Sequence, residues 1–552
     1  MYDSGVKIVL HGASQFLNQN DLLSLCTTNR SVANDIAIPK LYENIVISRN
    51  VPLRSELWFI DVTKTYVGGY RAIKKSSDQN DIFLYDRICR LTESPHLGYL
   101  KTLTIQDNVF EDKVAGNEVL QRLIDKVIEL QCIENLDIRD KVLFQQNYNR
   151  IRNLPSLIKV KVVGLDDLEK LPKELSVSLK SLDLVLTNSS FDRSGISSHI
   201  KKGLLPNIQE LFIEDVEFSS LRLFDFLSQE GTVLNNLKAL KLCHVHSVNN
   251  YNNATNELDL SSLKNVLSLR QLKKLELEFS CELENCDCAD TFLTELAANL
   301  SSLTHLGLIE AIFLDSWSHQ TSEKWDLWAC RFIHDLPNVG QNLRALSIRH
   351  SLPRDGIIAD AVEGNYIRRR TLYEHVLPKL ESLKTLIAPT FLQTLSAYEV
   401  LVCDLLWNGC ECKFCKKVLG IYDKYLMNHH YLCKKSGSHK DIIPTVMFTY
   451  SGDALSQRIT PHVDWDINAL SIAPVFHTWN MHGYDNVSHY SDFECLYDET
   501  AFEYLGVVIS HFFDTYMDHI VRLLPRLETC ILSGVYYSCD RNRKHHCIYD
   551  RP

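Results

Sequence analysis

One six-residue frame constrains this chain more than any other feature of it. Written L-x-x-L-x-L, with Ile, Val, Ala or Cys allowed for Leu, it starts at Leu100 (LKTLTI), Ile133 (IENLDI), Leu157 (LIKVKV), Leu179 (LKSLDL) and Ile208 (IQELFI). It continues at Leu237 (LKALKL), Leu272 (LKKLEL), Leu303 (LTHLGL), Leu343 (LRALSI) and Leu383 (LKTLIA), and returns at Leu527 (LETCIL). Starts from Leu100 to Leu303 lie 22 to 35 residues apart, the next two gaps are 40, and the last is 144. The second half of the frame alternates, so each copy predicts a short strand with alternate side chains on one face. The leading Leu packs where the chain turns inward.

Between copies the apolar period changes. VLQRLIDKVIELQ after Glu118 places Val119, Leu120, Leu123, Ile124, Val127 and Ile128 at helical spacing, and FLTELAANL from Phe292 does the same. One strand and one return segment cannot bury their own apolar faces, whereas stacked copies can. The pattern predicts an α/β chain in which 97–390 form an irregular leucine-rich-repeat solenoid, closed by a terminal repeat and tail at 525–552.

Residues 8–48 follow a different grammar. IVLHGASQFLNQNDLLSLCTTNRSVANDIAIPKLYENIVI predicts three short helices, from Ile8 to Leu17, Asp21 to Thr27 and Arg30 to Ala37. Asn20 or Asp21 is placed to cap the second, and Pro39 to end the third. The apolar set Leu17, Leu22, Leu25, Val32, Ile36, Leu41 and Tyr42 is dense for so short a segment, and a unit this small gains from burial against a partner.

This segment resembles an F-box, most closely in FLNQNDLLSLCTTNRSV followed by PKLYENIVI. The resemblance implies a helical module that docks on the Skp-type linker subunit of SCF ubiquitin ligases, with Leu17, Asp21, Leu22, Leu25, Pro39, Leu41 and Tyr42 as its partner-binding residues. Leucine-rich repeats are a standard companion of that module, and the order here, box first and repeats second, matches. The stretch KTYVGGYRAIKKSSDQNDIFLYDRI from Lys64, inside the connecting segment 49–96, resembles the linker of fungal members. The resemblance implies a non-catalytic substrate-recognition subunit in the ubiquitin (Ubl) conjugation pathway. The box would hold the linker, cullin and RING subunits would join through it, and a protein client would bind the repeat face or a late insertion. An F-box scaffold acting outside ubiquitin transfer is the alternative, and a metal-dependent enzyme is a third reading.

The gap ahead of Leu527 holds that insertion, 391–524. It carries Cys403, Cys410, Cys412 and Cys415, then His429, His430, Cys433 and His439. Cys410-x-Cys412-x2-Cys415 brings three thiols within one tight turn, and zinc wants four such ligands in a tetrahedron. Cys403 is the expected fourth, with Cys433, His429 or His430 as alternatives. The opposing expectation is a group of reduced, packed cysteines beside a helix, YDKYLMNHHYL from Tyr422. FHTWNMHGYDNVSHY from Phe476 offers His477, His482 and His489 at a spacing that matches no common metal site, and reads as aromatic contact surface. No cofactor is required by the sequence, and structural zinc is the one candidate, on equal footing with the packed-cysteine reading.

Composition narrows the remainder. Lys and Arg total 58 against 69 Asp and Glu, a net charge of −11, which argues against a partner bound through phosphates, so no nucleic acid is expected. Apolar runs such as VLVCDLL from Val400 are far too short to span a bilayer, and no secretory signal follows Met1. The expected location is cytoplasmic or nuclear, where the 17 Cys stay reduced. Motifs GxGxxG, P-loop, HExxH and GxSxG are absent from the sequence, and no catalytic residue is assigned.

Overall fold

The computed structural model describes residues 4–49, 64–68, 77–187, 195–245, 260–279, 288–310, 320–349, 371–388, 410–417, 511 and 514–547, apart from 16, 107–108, 111, 216–218, 533–534 and 541. The chain divides into two compact units, Met1–Ile213 with Thr232–Leu237, and Glu214–Gly231 with Lys238–Pro552. Both mix helices with parallel strands.

In the first unit the strands are β1 (Asn44–Ser48), β2 (Thr65–Gly68), β3 (Thr102–Ile105), β4 (Asn135–Ile138), β5 (Lys159–Val163) and β6 (Ser181–Leu186), and the division falls within β7 (Glu210–Asp215). β1 pairs in parallel with β2 on one side and β3 on the other, β3 with β4, and β5 with β6. The second unit carries β8 (Ala239–Cys243), β9 (Lys274–Phe279), β10 (His305–Glu310), β11 (Ala345–Arg349), β12 (Thr385–Ala388), β13 (Thr529–Leu532), β14 (Val535–Cys539) and β15 (His545–Cys547). β8 to β13 run parallel in chain order, and β13, β14 and β15 then turn back on one another antiparallel.

The frame explains the pairing. Its leading residue is buried in all eleven copies, as are its fourth and sixth residues wherever their side chains are described. Within each unit the residue after a leader donates its backbone N–H to the same residue of the preceding copy. In the first unit Glu134 donates to Lys101, Ile158 to Glu134, Lys180 to Ile158 and Gln209 to Lys180; in the second, Lys273 donates to Lys238, Thr304 to Lys273, Arg344 to Thr304, Lys384 to Arg344 and Glu528 to Lys384, all at 2.7–2.8 Å. Each step thus places three apolar side chains beside those of its neighbour, at about 1.5–3 kcal/mol of burial per Leu. Glu528 joins this ladder beside Lys384, so the chain returns to the sheet after an excursion of 144 residues as if the next copy had followed directly.

The ladder begins earlier than the frame predicted. Lys101 donates its N–H to the Glu43 carbonyl at 2.8 Å, which makes Tyr42, Ile45 and Ile47 a further copy with Tyr in the leading place. Ile45 and Ile47 are buried like their counterparts. The stretch 49–96, expected only to connect, supplies β2 and the helix Ser77–Thr92. Glu43 also binds across this junction, its carboxylate meeting Lys40 and, at 3.2 Å, Lys101. Burial alone would raise the Glu43 carboxyl, but hydrogen bonds and charge from the two lysines outweigh it and hold it below its ordinary value near 4.5. A depressed carboxyl stabilises the fold above its ordinary value and loses that contribution as pH falls through the folded value. Glu43→Gln is therefore expected to cost up to about 1 kcal/mol at pH 7, with the difference from wild type shrinking in urea titrations as pH falls below the ordinary carboxyl value and through the lower folded one.

Candidate functional site

The N-terminal module is built from helices Ser4–Ser14 and Gln19–Cys26 and a continuous helical run, Arg30–Val32, Ala33–Ala37 and Ile38–Glu43, that leads straight into β1. Asn18, rather than Asn20 or Asp21, caps the second helix, its Oδ1 accepting from the N–H of Asn20 at 2.9 Å and of Asp21 at 3.1 Å. Pro39 does not end the third helix. Over Ala33–Ala37 the turns widen, the Ile38 N–H reaching back to the Ala33 carbonyl, and Pro39 falls where the tighter helix restarts, a place that needs no N–H.

Leu22, Ala37 and Leu41 form the module's own buried centre, with Leu17, Leu25, Cys26 and Tyr42 packed partly buried against it. Of the residues the resemblance assigned to partner binding, Leu22 and Leu41 therefore face inward. Asp21 and Pro39 lie half-buried at the surface. Tyr42 is committed elsewhere: Ser94 Oγ donates to its hydroxyl at 2.9 Å, and the His96 ring sits edge-on at 5.6 Å. Leu23 was missed. It is 48% exposed, because helical spacing puts Leu22, Leu25 and Cys26 on the inner face and turns Leu23 about 100° away. The doublet in DLLSL carried that signal, since only one of two adjacent leucines in a helix can face in.

Gln19 fixes the module to the sheet edge. Its Nε2 donates to the Tyr66 carbonyl at 3.1 Å and its Oε1 accepts the Tyr66 N–H at 3.0 Å, so a side-chain amide pairs with β2 as a further strand would.

A second candidate site lies in the other unit. Cys410, Cys412 and Cys415 come together with His511, the ligating atoms all within 4.8 Å of one another. Cys403, His429, His430, Cys433 and His439, together with the Tyr422 helix and the aromatic stretch from Phe476, lie outside the described residues. His511 belongs to no motif that spacing could reveal, being 96 positions from Cys415. The Cys415 N–H donates to Cys412 Sγ, and the Cys412 N–H to Cys410 Sγ, both at 3.4 Å. The first of these and His511 draw the Cys412 thiol down to about 6, while burial and then the neighbouring Cys412 push Cys415 up to about 12.

No known protein-family profile matches the chain. A curated relative from Saccharomyces cerevisiae (strain ATCC 204508 / S288c), named "Non-SCF-type F-box protein ROY1", is 44% identical over 99% of both chains. This chain belongs to the fungal F-box proteins. The match covers 99% of both chains, so membership rests on the whole length of the F-box chain rather than on its first residues. Among the described residues of this F-box protein, no helix is long and apolar enough to cross a membrane.

Proposed function

We propose that this F-box protein is a scaffold working outside an SCF ligase. Its module 8–48 docks a Skp-type linker, and its strand units, read as a leucine-rich-repeat solenoid with 391–524 inserted, hold a protein client without a catalytic residue of their own. The observation that carries this reading is the relative matched over 99% of both chains, which is named a non-SCF-type F-box protein. The physical support for docking is the exposed Leu23 on a module with a very small centre of its own. The substrate-adaptor reading, with cullin and RING subunits recruited through the linker, shares the box and differs only in what else assembles.

Purification of the tagged full chain from fungal cells separates the two. The linker is expected at near-equal amount with no cullin, and Leu23→Glu is expected to lower linker recovery on the order of 30-fold or more, since a carboxylate would be stripped of water at the interface. The melting temperature should fall far less than for a buried leucine, as Leu23 is 48% exposed. Cullin recovered in proportion to the linker would return the chain to the adaptor reading. Undiminished linker binding by the Leu23→Glu chain would remove the proposed docking face.

A further inference from the structure

We propose that Cys410, Cys412, Cys415 and His511 bind one structural zinc ion, which ties the segment following β12 to the helix that leads back into β13. This is independent of what the box binds. Three thiolates and an imidazole are the donor set of a closed zinc site, and tetrahedral bonds of about 2.3 Å to sulfur and about 2.0 Å to nitrogen put ligand atoms roughly 3.5–3.8 Å apart. His511 Nδ1 lies 3.8 Å from Cys412 Sγ and 3.3 Å from Cys415 Sγ, which are edges of that size. Nδ1 is thus the ligand atom that this site would use.

Local spacing does not account for the convergence. A Cys-x-Cys-x2-Cys turn would gather three sulfurs by itself, but the fourth donor comes from 96 positions away and is aimed at their centre. Its approach is held from behind. The His511 carbonyl accepts from Thr515 Oγ1 at 2.8 Å, and Tyr516, Met517 and Ile520 of the same helical segment, 514–523, are buried, with the Tyr516 ring edge-on to Tyr373 at 5.4 Å. On the other side Cys415 is fully buried, and the Cys412 and Cys415 N–H groups hold the sulfurs of Cys410 and Cys412 in place, both at 3.4 Å. All three cysteines are free thiols in the structure.

Loading is balanced as follows. A hydrated Zn²⁺ ion loses its water and forms three Zn–S bonds and one Zn–N bond, three thiol protons leave to solvent, and the closed centre carries one net negative charge. With four protein ligands no position remains for a reactive water, so the role is structural and the metal-dependent enzyme is disfavoured. Closing the base of the excursion lets β13 meet β12 in register although Thr385 and Thr529 are 144 positions apart.

Metal analysis of the purified full chain tests this. About one zinc per chain is expected, released by a thiol-modifying reagent, and a cobalt-loaded sample should show the visible absorption of a tetrahedral thiolate centre. Cys412→Ser with Cys415→Ser, and separately His511→Ala, should lower zinc by about tenfold or more, whereas His511→Cys, which keeps four ligands, should retain it. Chelation should open the region 410–417 and 511–523 to protease before β8 to β11. Zinc-free protein that takes up none from added zinc chloride, or zinc kept by the double variant, overturns the site. A Cys412–Cys415 disulfide in the zinc-free chain would assign the pair to redox chemistry instead.

Discussion

Leu22→Glu is expected to unfold the N-terminal module outright and to abolish linker binding with it. Leu22 is 3% exposed and packs with Ala37 and Leu41 at the module's centre, so the substitution removes a core leucine and puts a carboxylate in its place. Lost apolar burial costs about 1.5–3 kcal/mol, and the carboxylate adds several more whether it stays charged or binds a proton there. A penalty above roughly 4 kcal/mol exceeds what so small a module can hold by itself. The loss should spread one step further, because Gln19 pairs with Tyr66 and the helix that bears Leu41 continues into β1. Hydrogen exchange should therefore rise over 18–43 and 64–68 while β8 to β13 stay protected. The comparison with Leu23→Glu is the informative one: both variants lose the linker, but only Leu22→Glu loses the module. A Leu22→Glu chain with unchanged exchange and normal linker binding would mean that the packing described around Leu22 is wrong.

How much could be seen from residues alone depended on whether the physics was local. The frame reports strand alternation plus one inward Leu, both short-range properties, and every copy from Leu100 to Leu527 became a rung of hydrogen bonds. Tyr42 escaped because the substitutions allowed at the leading place were small apolar residues, while a phenol can fill it if its hydroxyl finds a partner, here Ser94. Pro39 was misread because the rule that proline ends a helix assumes that its missing N–H was needed; the widened turn ahead of it removes that need. In the candidate metal site, Cys410, Cys412 and Cys415 were legible from their spacing. His511 was not, since no local pattern links residues 96 positions apart, and the fourth ligand was sought among nearer Cys and His instead. The antiparallel pair β14 and β15 after the last copy carried no frame and gave no sequence signal.

Gly340→Ala is expected to destabilise the second unit by about 2–4 kcal/mol, the range for overpacking against a site that cannot yield, although the change adds one methyl group. A Cβ built on Gly340 would stand 2.4 Å from the Lys379 carbonyl oxygen, and backbone cannot rotate away as a side-chain tip can. The same glycine receives the Ser382 N–H on its carbonyl at 2.9 Å, so this close approach is where the turn ahead of β12 docks on the short helix Val339–Asn342. Retreat is blocked from the far side, because Leu377, Leu380 and Leu383 of that turn are all fully buried. Relief must then come from shifting the turn, which gives up the Ser382 hydrogen bond and disturbs the start of β12. Since the clash arises at Cβ, Gly340→Ser should cost nearly as much as Gly340→Ala, whereas a defect of cavity filling would grow with side-chain size. Gly12→Ala is the matched control: nothing lies within 4 Å of its Cβ position, it sits in the helix Ser4–Ser14, and the change should stabilise by up to about 1 kcal/mol through helix propensity. Urea unfolding followed by probes in each unit measures all three variants. A Gly340→Ala chain with wild-type midpoint would show that the turn can move without cost, and that the contact with Lys379 does not constrain the register in which β12 enters the sheet.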